Sequence, residues 1–156
     1  APAGGGGAVV QVVNTQTGAV ATGTTVIPAD DTIPQNTEGT EFMTLAVTPT
    51  DAANMLKIDV VFLGASNTAA RNVCVALFQD TTASALAVGD QTTFSGGYIQ
   101  AITFSHYMTA GTTSATTFKV RAGVETSGTV TFNGSSGNRF YGGVMASSIT
   151  ITEIVP

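Results

Sequence analysis

The stretch Met55-Leu56-Lys57-Ile58-Asp59-Val60-Val61-Phe62-Leu63 decides the fold. Strict period-2 alternation places Leu56, Ile58, Val60 and Phe62 on one face and Lys57, Asp59, Val61 and Leu63 on the other. That is the pattern of a half-buried β-strand and not of a helix. The second face turns apolar at Val61 and Leu63, so that end is expected to be covered, with another subunit as one candidate.

Working outward, short alternating or β-branched runs recur between Gly, Asn, Asp, Pro and Ser punctuation. Upstream they fall at residues 9–15 and 42–48, the latter carrying Met43, Leu45 and Val47 on one face and stopped by Pro49. Residues 18–27 read as a Thr- and Ala-rich arm ended by Pro28, and 29–39 as a loop with a short edge piece near Thr32-Ile33. Downstream, strands are expected at 72–79, 98–108, 118–124, 129–132 and 148–155. Between them lie a long loop over 83–97, a turn over 109–116 and a turn-rich tip over 133–138. About eight to ten strands and little or no helix predict an all-β sandwich or jelly roll. Residues 1–8 are expected to form a Gly-rich N-terminal arm or linker, and 9–156 the jelly-roll domain. A whole 156-residue product and a domain cut from a longer fibre both fit that start. Strands near Val9, Leu56, Phe118 and Ile149 are expected to share the inward sheet.

Composition narrows the class. Only 10% of residues are charged, against roughly 25% in an ordinary soluble domain. Mixed charge normally keeps folded monomers apart. A chain without it is expected to hide surface against copies of itself, and a closed homotrimer would cover the second face and protect the sheet edges. The five basic residues (Lys57, Arg71, Lys119, Arg121 and Arg139) do not cluster, so phosphate-led nucleic-acid binding is not expected. No apolar run reaches the roughly 18 residues of a membrane span, so no membrane insertion is expected.

Reactive groups are sparse. Cys74 is the single cysteine and lies in an apolar run, as a small buried hydrophobe would. His106 is the single histidine, and no nucleophile elbow or second ligand accompanies it for a triad or a zinc site. Asp30, Asp31 and Glu38 could offer oxygen to Ca²⁺, but without EF-hand spacing a solvated loop is the plainer reading. Carboxylate pairs suited to glycoside hydrolysis are not evident. No catalytic residue, metal or cofactor is therefore expected, and the protein is expected not to be an enzyme. Tyr98, Arg139, Phe140 and Tyr141, set among glycines, are the candidate ligand-binding residues, with aromatic faces suited to sugars; packing across a seam is the competing reading. Val61, Leu63, His106 and Tyr107 are the candidate trimer-interface residues.

Five segments in order carry a family resemblance: VVNTQTGAVATGTTVIPADDTIPQNTEGTEF (12–42), MTLAVTPTDAANMLKIDVVF (43–62), ALFQDTTASALA (76–87), FSHYMTAGTTSATTFKVRAG (104–123) and SSITITEI (147–154). The chain resembles bacteriophage virion structural and tail-fibre domains over nearly its whole length. The resemblance implies the compact trimeric jelly roll of tumour-necrosis-factor-like and complement-type heads. It further implies a virion protein on the particle exterior. The first expectation is a trimeric capsid decoration, or cement, protein partnered by itself and by the major capsid protein. The alternative is the receptor-binding head of a tail fibre that attaches to host surface glycans. Within these 156 residues the head stands without the shaft or coiled coil of such fibres, which favours the first.

Overall fold

A computed structural model describes residues 7–156. The strands run, in chain order, β1 (Val9–Thr17), β2 (Ala21–Gly23), β3 (Thr40–Val47), β4 (Met55–Ser66), β5 (Arg71–Gln79) and β6 (Ala87–Thr93). They continue as β7 (Ile99–Thr109), β8 (Thr116–Val124), β9 (Val130–Phe132), β10 (Gly134–Ser135), β11 (Asn138–Arg139) and β12 (Ser147–Ile154), with one 3-10 turn at Tyr141–Gly143. The expected Gly-rich arm falls largely on residues 1–6, outside the described residues; within the rest of it, Ala8 accepts a hydrogen bond from the Val155 amide at 2.9 Å.

Two antiparallel sheets pack face to face. In the six-stranded sheet β4 is central: β7 lies along one edge, while β12 and β9 share the other, with β1 outside β12 and β2 outside β9. The four-stranded sheet has the order β3-β8-β5-β6. Phe118 on β8 therefore belongs to the second sheet, not to the sheet of Val9, Leu56 and Ile149 as expected. Phe118 is fully buried, but a strand's alternation cannot say which of two sheets it joins.

The inner faces make one core. Leu56, Ile58, Val60 and Phe62 of β4 are at most 1% exposed and meet Ile149 and Ile151 of β12, Phe118 and Val120 of β8, and Val75 and Leu77 of β5. Phe42, Phe62 and Phe132 form an aromatic cluster with centroids 5.1–6.0 Å apart.

The expected 83–97 loop in fact contains β6. This edge strand carries Gly, Asp, Gln and Thr without apolar alternation, which hid it. Gly89 within it has a packing reason: a Cβ there would stand 2.7 Å from Phe104 and 2.8 Å from Ile102 of β7, so the missing side chain lets the two edges close. The expected tip at 133–138 is half-buried. Asn133, Gly134 and Ser135 are buried, and β10 and β11 form a minute hairpin. Asn133 takes a left-handed backbone (φ 54°) and bonds the Thr17 and Ala19 carbonyls through its amide; Ser147 donates to its Oδ1. Asn133 thus ties the end of β1 to β12.

Candidate functional site

The outer faces of the two sheets are treated differently by the chain. β5 is buried on both sides: Val73, Val75 and Leu77 face the core, while Cys74, Ala76 and Phe78 face outward beneath Ile27, with Ala85 beside them. Residues 24–39 cross this face as a strap. Arg121 clamps it, donating from Nε to the Glu38 carbonyl and from Nη2 to the Gly39 carbonyl, both at 2.8 Å, with Glu41 3.5 Å from Nη1. Within the strap Asp30 accepts from the Thr32 amide and hydroxyl, and Glu38 from the Gln35 amide. Both carboxylates act as turn braces. No cluster of three or more metal-ligating side chains occurs among the described residues.

Among the described residues no strap crosses the six-stranded sheet. Its outer face is a grid of rows running across the strands: Val12–Thr152–Lys57–Tyr107, Asn14–Thr150–Asp59–Ser105 and Gln16–Ser148–Val61–Thr103, with Leu63 beside Ala101. Its two charges at the centre neutralise one another. Lys57 Nζ is 3.0 Å from Asp59 and 6.0 Å from the Tyr107 ring centroid, and the hydrogen bond to Asp59 raises the Lys57 pKa. Ser105 donates to Asp59, and Asn14 donates to Thr150 Oγ1 at 2.8 Å. A shallow trough of about 420 Å³ lies across β4 and β7 between Asp59, Val61, Thr103 and Ser105. Of the candidate interface residues, Val61, Leu63 and Tyr107 stand on this outer face. His106 does not: it alternates onto the inner side of β7, opposite Ile58 on β4.

The expected ligand residues gather at one end of the sandwich in two groups. Arg139, Phe140 and Tyr141 are consecutive, with the two rings 6.1 Å apart. Tyr98 lies instead in a cleft of about 240 Å³ with Phe94, Ser95 and Gln100. The Ser135 hydroxyl, on the strand opposite Asn138, donates to the Gly97 carbonyl at 2.7 Å and joins the two groups. Phe94, 94% exposed, was missed; an aromatic residue directly before Ser-Gly-Gly was the available signal.

Two buried groups hold distinctive chemistry. Glu153, fully buried on the inner face of β12, accepts from Asn54 Nδ2 (2.6 Å), Gln11 Nε2 (2.5 Å), and the Thr50 hydroxyl (2.8 Å) and amide (2.9 Å). Burial opposes its ionisation, but these donors outweigh burial and hold the pKa at about 2. Cys74 is pushed the other way, to about 12, by burial first and then by Asp90, whose Oδ1 is 3.7 Å from Sγ. It stays a thiol at neutral pH, and the thiolate is the reactive form.

Comparison with known proteins gives a family and a fold. A family model described as the Pgp3 C-terminal domain, a Chlamydia virulence family, matches residues 17–156. A structure of Eiger TNF from S. frugiperda aligns over 92% of this chain and 93% of its own, with a TM-score of 0.53 at 9% identity. That likeness establishes the TNF-like jelly roll. A structure of infectious bursal disease virus, Gx strain, aligns over 94% of this chain and 37% of its own at 10% identity with a TM-score of 0.41, too low to bear on the fold. No curated protein matches the sequence significantly. The family match overturns the bacteriophage reading. The chain is not placed as a capsid decoration on a major capsid protein, nor as a tail-fibre head, and the virion exterior is not its location. The segments that suggested phage are threonine-rich strands and turns of the jelly roll itself, which specify the head and not the particle that carries it.

Proposed function

Because this chain belongs to the Pgp3 C-terminal domain family, we propose that it is a non-catalytic interaction head that works as a homotrimer, built through the outer face of its six-stranded sheet. One observation carries the reading. The chain covers one outer sheet face with its own strap and leaves the other, with its charges already paired and Val12, Val61, Leu63 and Tyr107 displayed, for a second copy. A self-neutralised surface suits packing around a threefold axis, because three copies that each brought net charge to the axis would repel one another. The chemistry supports a non-catalytic role. The Glu153 carboxylate is saturated by donors and tied down at low pKa, and Cys74 is a buried neutral thiol. The virulence association of the family comes to this chain as an interaction role, with the trimeric head as the part that meets a partner.

The test is Val61→Asp. Val61 is half-buried at the centre of the bare face, so the substitution puts an uncompensated charge into each proposed seam while the solitary subunit keeps its core. We expect a β-rich spectrum unchanged by circular dichroism and a light-scattering mass of one chain. A variant that keeps the wild-type oligomeric mass contradicts the seam.

A further inference from the structure

The loop end holds a conformational oddity with no packing explanation. Tyr141 sits in the left-handed region (φ 50°), followed by Gly142 (φ 64°) and Gly143 (φ 93°). Glycine suits such positions and a bulky residue does not. Yet Tyr141 is 74% exposed, so its ring gains little burial for that backbone. Strain of this kind is held where the side chain has a use. Across the Ser135–Gly97 link, Phe94 and Tyr98 are 94% and 66% exposed beside a cleft that Ser95 and Gln100 also line.

From this arrangement we infer that the loop end is a carbohydrate-binding surface for an oligosaccharide ending in a carboxylated sugar, with Tyr141 and Tyr98 as stacking platforms and Arg139 as the carboxylate partner. Three features favour that ligand. Phe140, Tyr141 and the exposed Val144 form one group and Phe94 with Tyr98 another, and the polar hairpin of Ser135 and Asn138 lies between them, which divides the surface into two separate platforms. Flat rings interleaved with hydroxyl and amide groups match the C–H faces and hydroxyls of a pyranose. Charge then narrows the class. Residues 94–98 and 133–144 contain no acidic residue and a single basic one, Arg139, in a chain of net charge −5. One guanidinium pairs with one carboxylate in a planar fork, whereas a sulfated polymer or a nucleic acid needs several cations. The inference does not rest on the trimer, since every group named lies within one chain.

Saturation-transfer NMR and calorimetry with sialyllactose, lactose and a heparin fragment test it. Sialyllactose is expected to bind at least about ten-fold tighter than lactose, the scale of one charged pair. Arg139→Gln should reduce its affinity to that of lactose. Tyr141→Gly should raise the melting temperature by relieving the backbone and yet abolish binding of both sugars, separating recognition from folding. Tyr98→Ala should weaken binding without moving the melting temperature. No saturation transfer from either lactose-based sugar overturns the site. Equal affinity for sialyllactose and lactose, preference for the heparin fragment, or full binding by Tyr141→Gly overturns it as well.

Discussion

The two sheets end their outward sides in opposite ways. The four-stranded sheet buries its outer apolar residues under the chain's own strap, with Ile27 and Phe78 at 0% and 1% exposure. The six-stranded sheet presents a more polar outer face, and among the described residues nothing covers it. Its charges are paired within the face, and its other positions are threonine, serine, Asn14, Gln16, exposed Val12 and Tyr107, and half-buried Val61 and Leu63. One face is completed in cis, and the proposed trimer would complete the other in trans. A low charge content is consistent with both: neither face was built to be held in water by charge.

Substitutions should separate the faces. The largest effect is expected at the strapped one, where Phe78→Ala should cost about 3–5 kcal/mol in urea unfolding, as deletions in a packed core do. A loss under about 1 kcal/mol would mean the strap is a loose cover and the contrast fails. Glu153→Ala comes next at about 3 kcal/mol, because Asn54, Gln11 and the Thr50 amide would lose the carboxylate they share, and buried Asn54 the shortest of its hydrogen bonds. The same carboxylate sets an acid response. Its folded pKa of about 2 lies below its ordinary 4.5, so unfolding takes up a proton between those values. Its contribution to stability is full above pH 4.5 and disappears as pH falls toward 2. Thermal melts across that window should be steep for the wild type and flatter for Glu153→Gln. Equal slopes would show that other carboxylates govern acid unfolding.

Arg121→Ala should cost less, about 1–2 kcal/mol for two hydrogen bonds from a charged group, while making residues 28–39 a site of proteolytic nicking. An uncut strap would show that Ile27 alone secures it. The mildest effect is chemical. Cys74 beneath the strap should resist alkylation at pH 8 in the folded protein and react on unfolding, and ready reaction in the native state would contradict its burial.

The sequence discloses these features unevenly. β4 was legible because its alternation is uninterrupted from Leu56 to Phe62, and β5 because an apolar run over residues 73–78 admits few readings beyond a strand buried on both sides. β6 was not: an edge strand of polar residues and glycine looks like a loop, and its partner's Phe104 explains Gly89 only once the two are side by side. Glu153 occupies an apolar-face position, and its donors Gln11, Thr50 and Asn54 come from sites 99 to 142 residues away, a convergence no local pattern encodes. Of the candidate site, alternation put Val61 and Leu63 on one face of β4, and only the pairing of β4 with β7 brings Tyr107 onto it. His106 failed because neighbours on a strand point to opposite sides. Tyr98, Arg139, Phe140 and Tyr141 were chosen for their glycine surroundings, and folding brought them to one end. The bacteriophage reading failed for a different reason, since a head domain's strand pattern does not record what bears it.

The contrast between a face closed in cis and one closed in trans turns on the wild-type chain's mass in solution. Light scattering across a dilution series should return three times the 15.7 kDa of one chain down to low micromolar concentration. A stable mass of 15.7 kDa at every concentration would show that the bare face needs no partner, and would contradict the account.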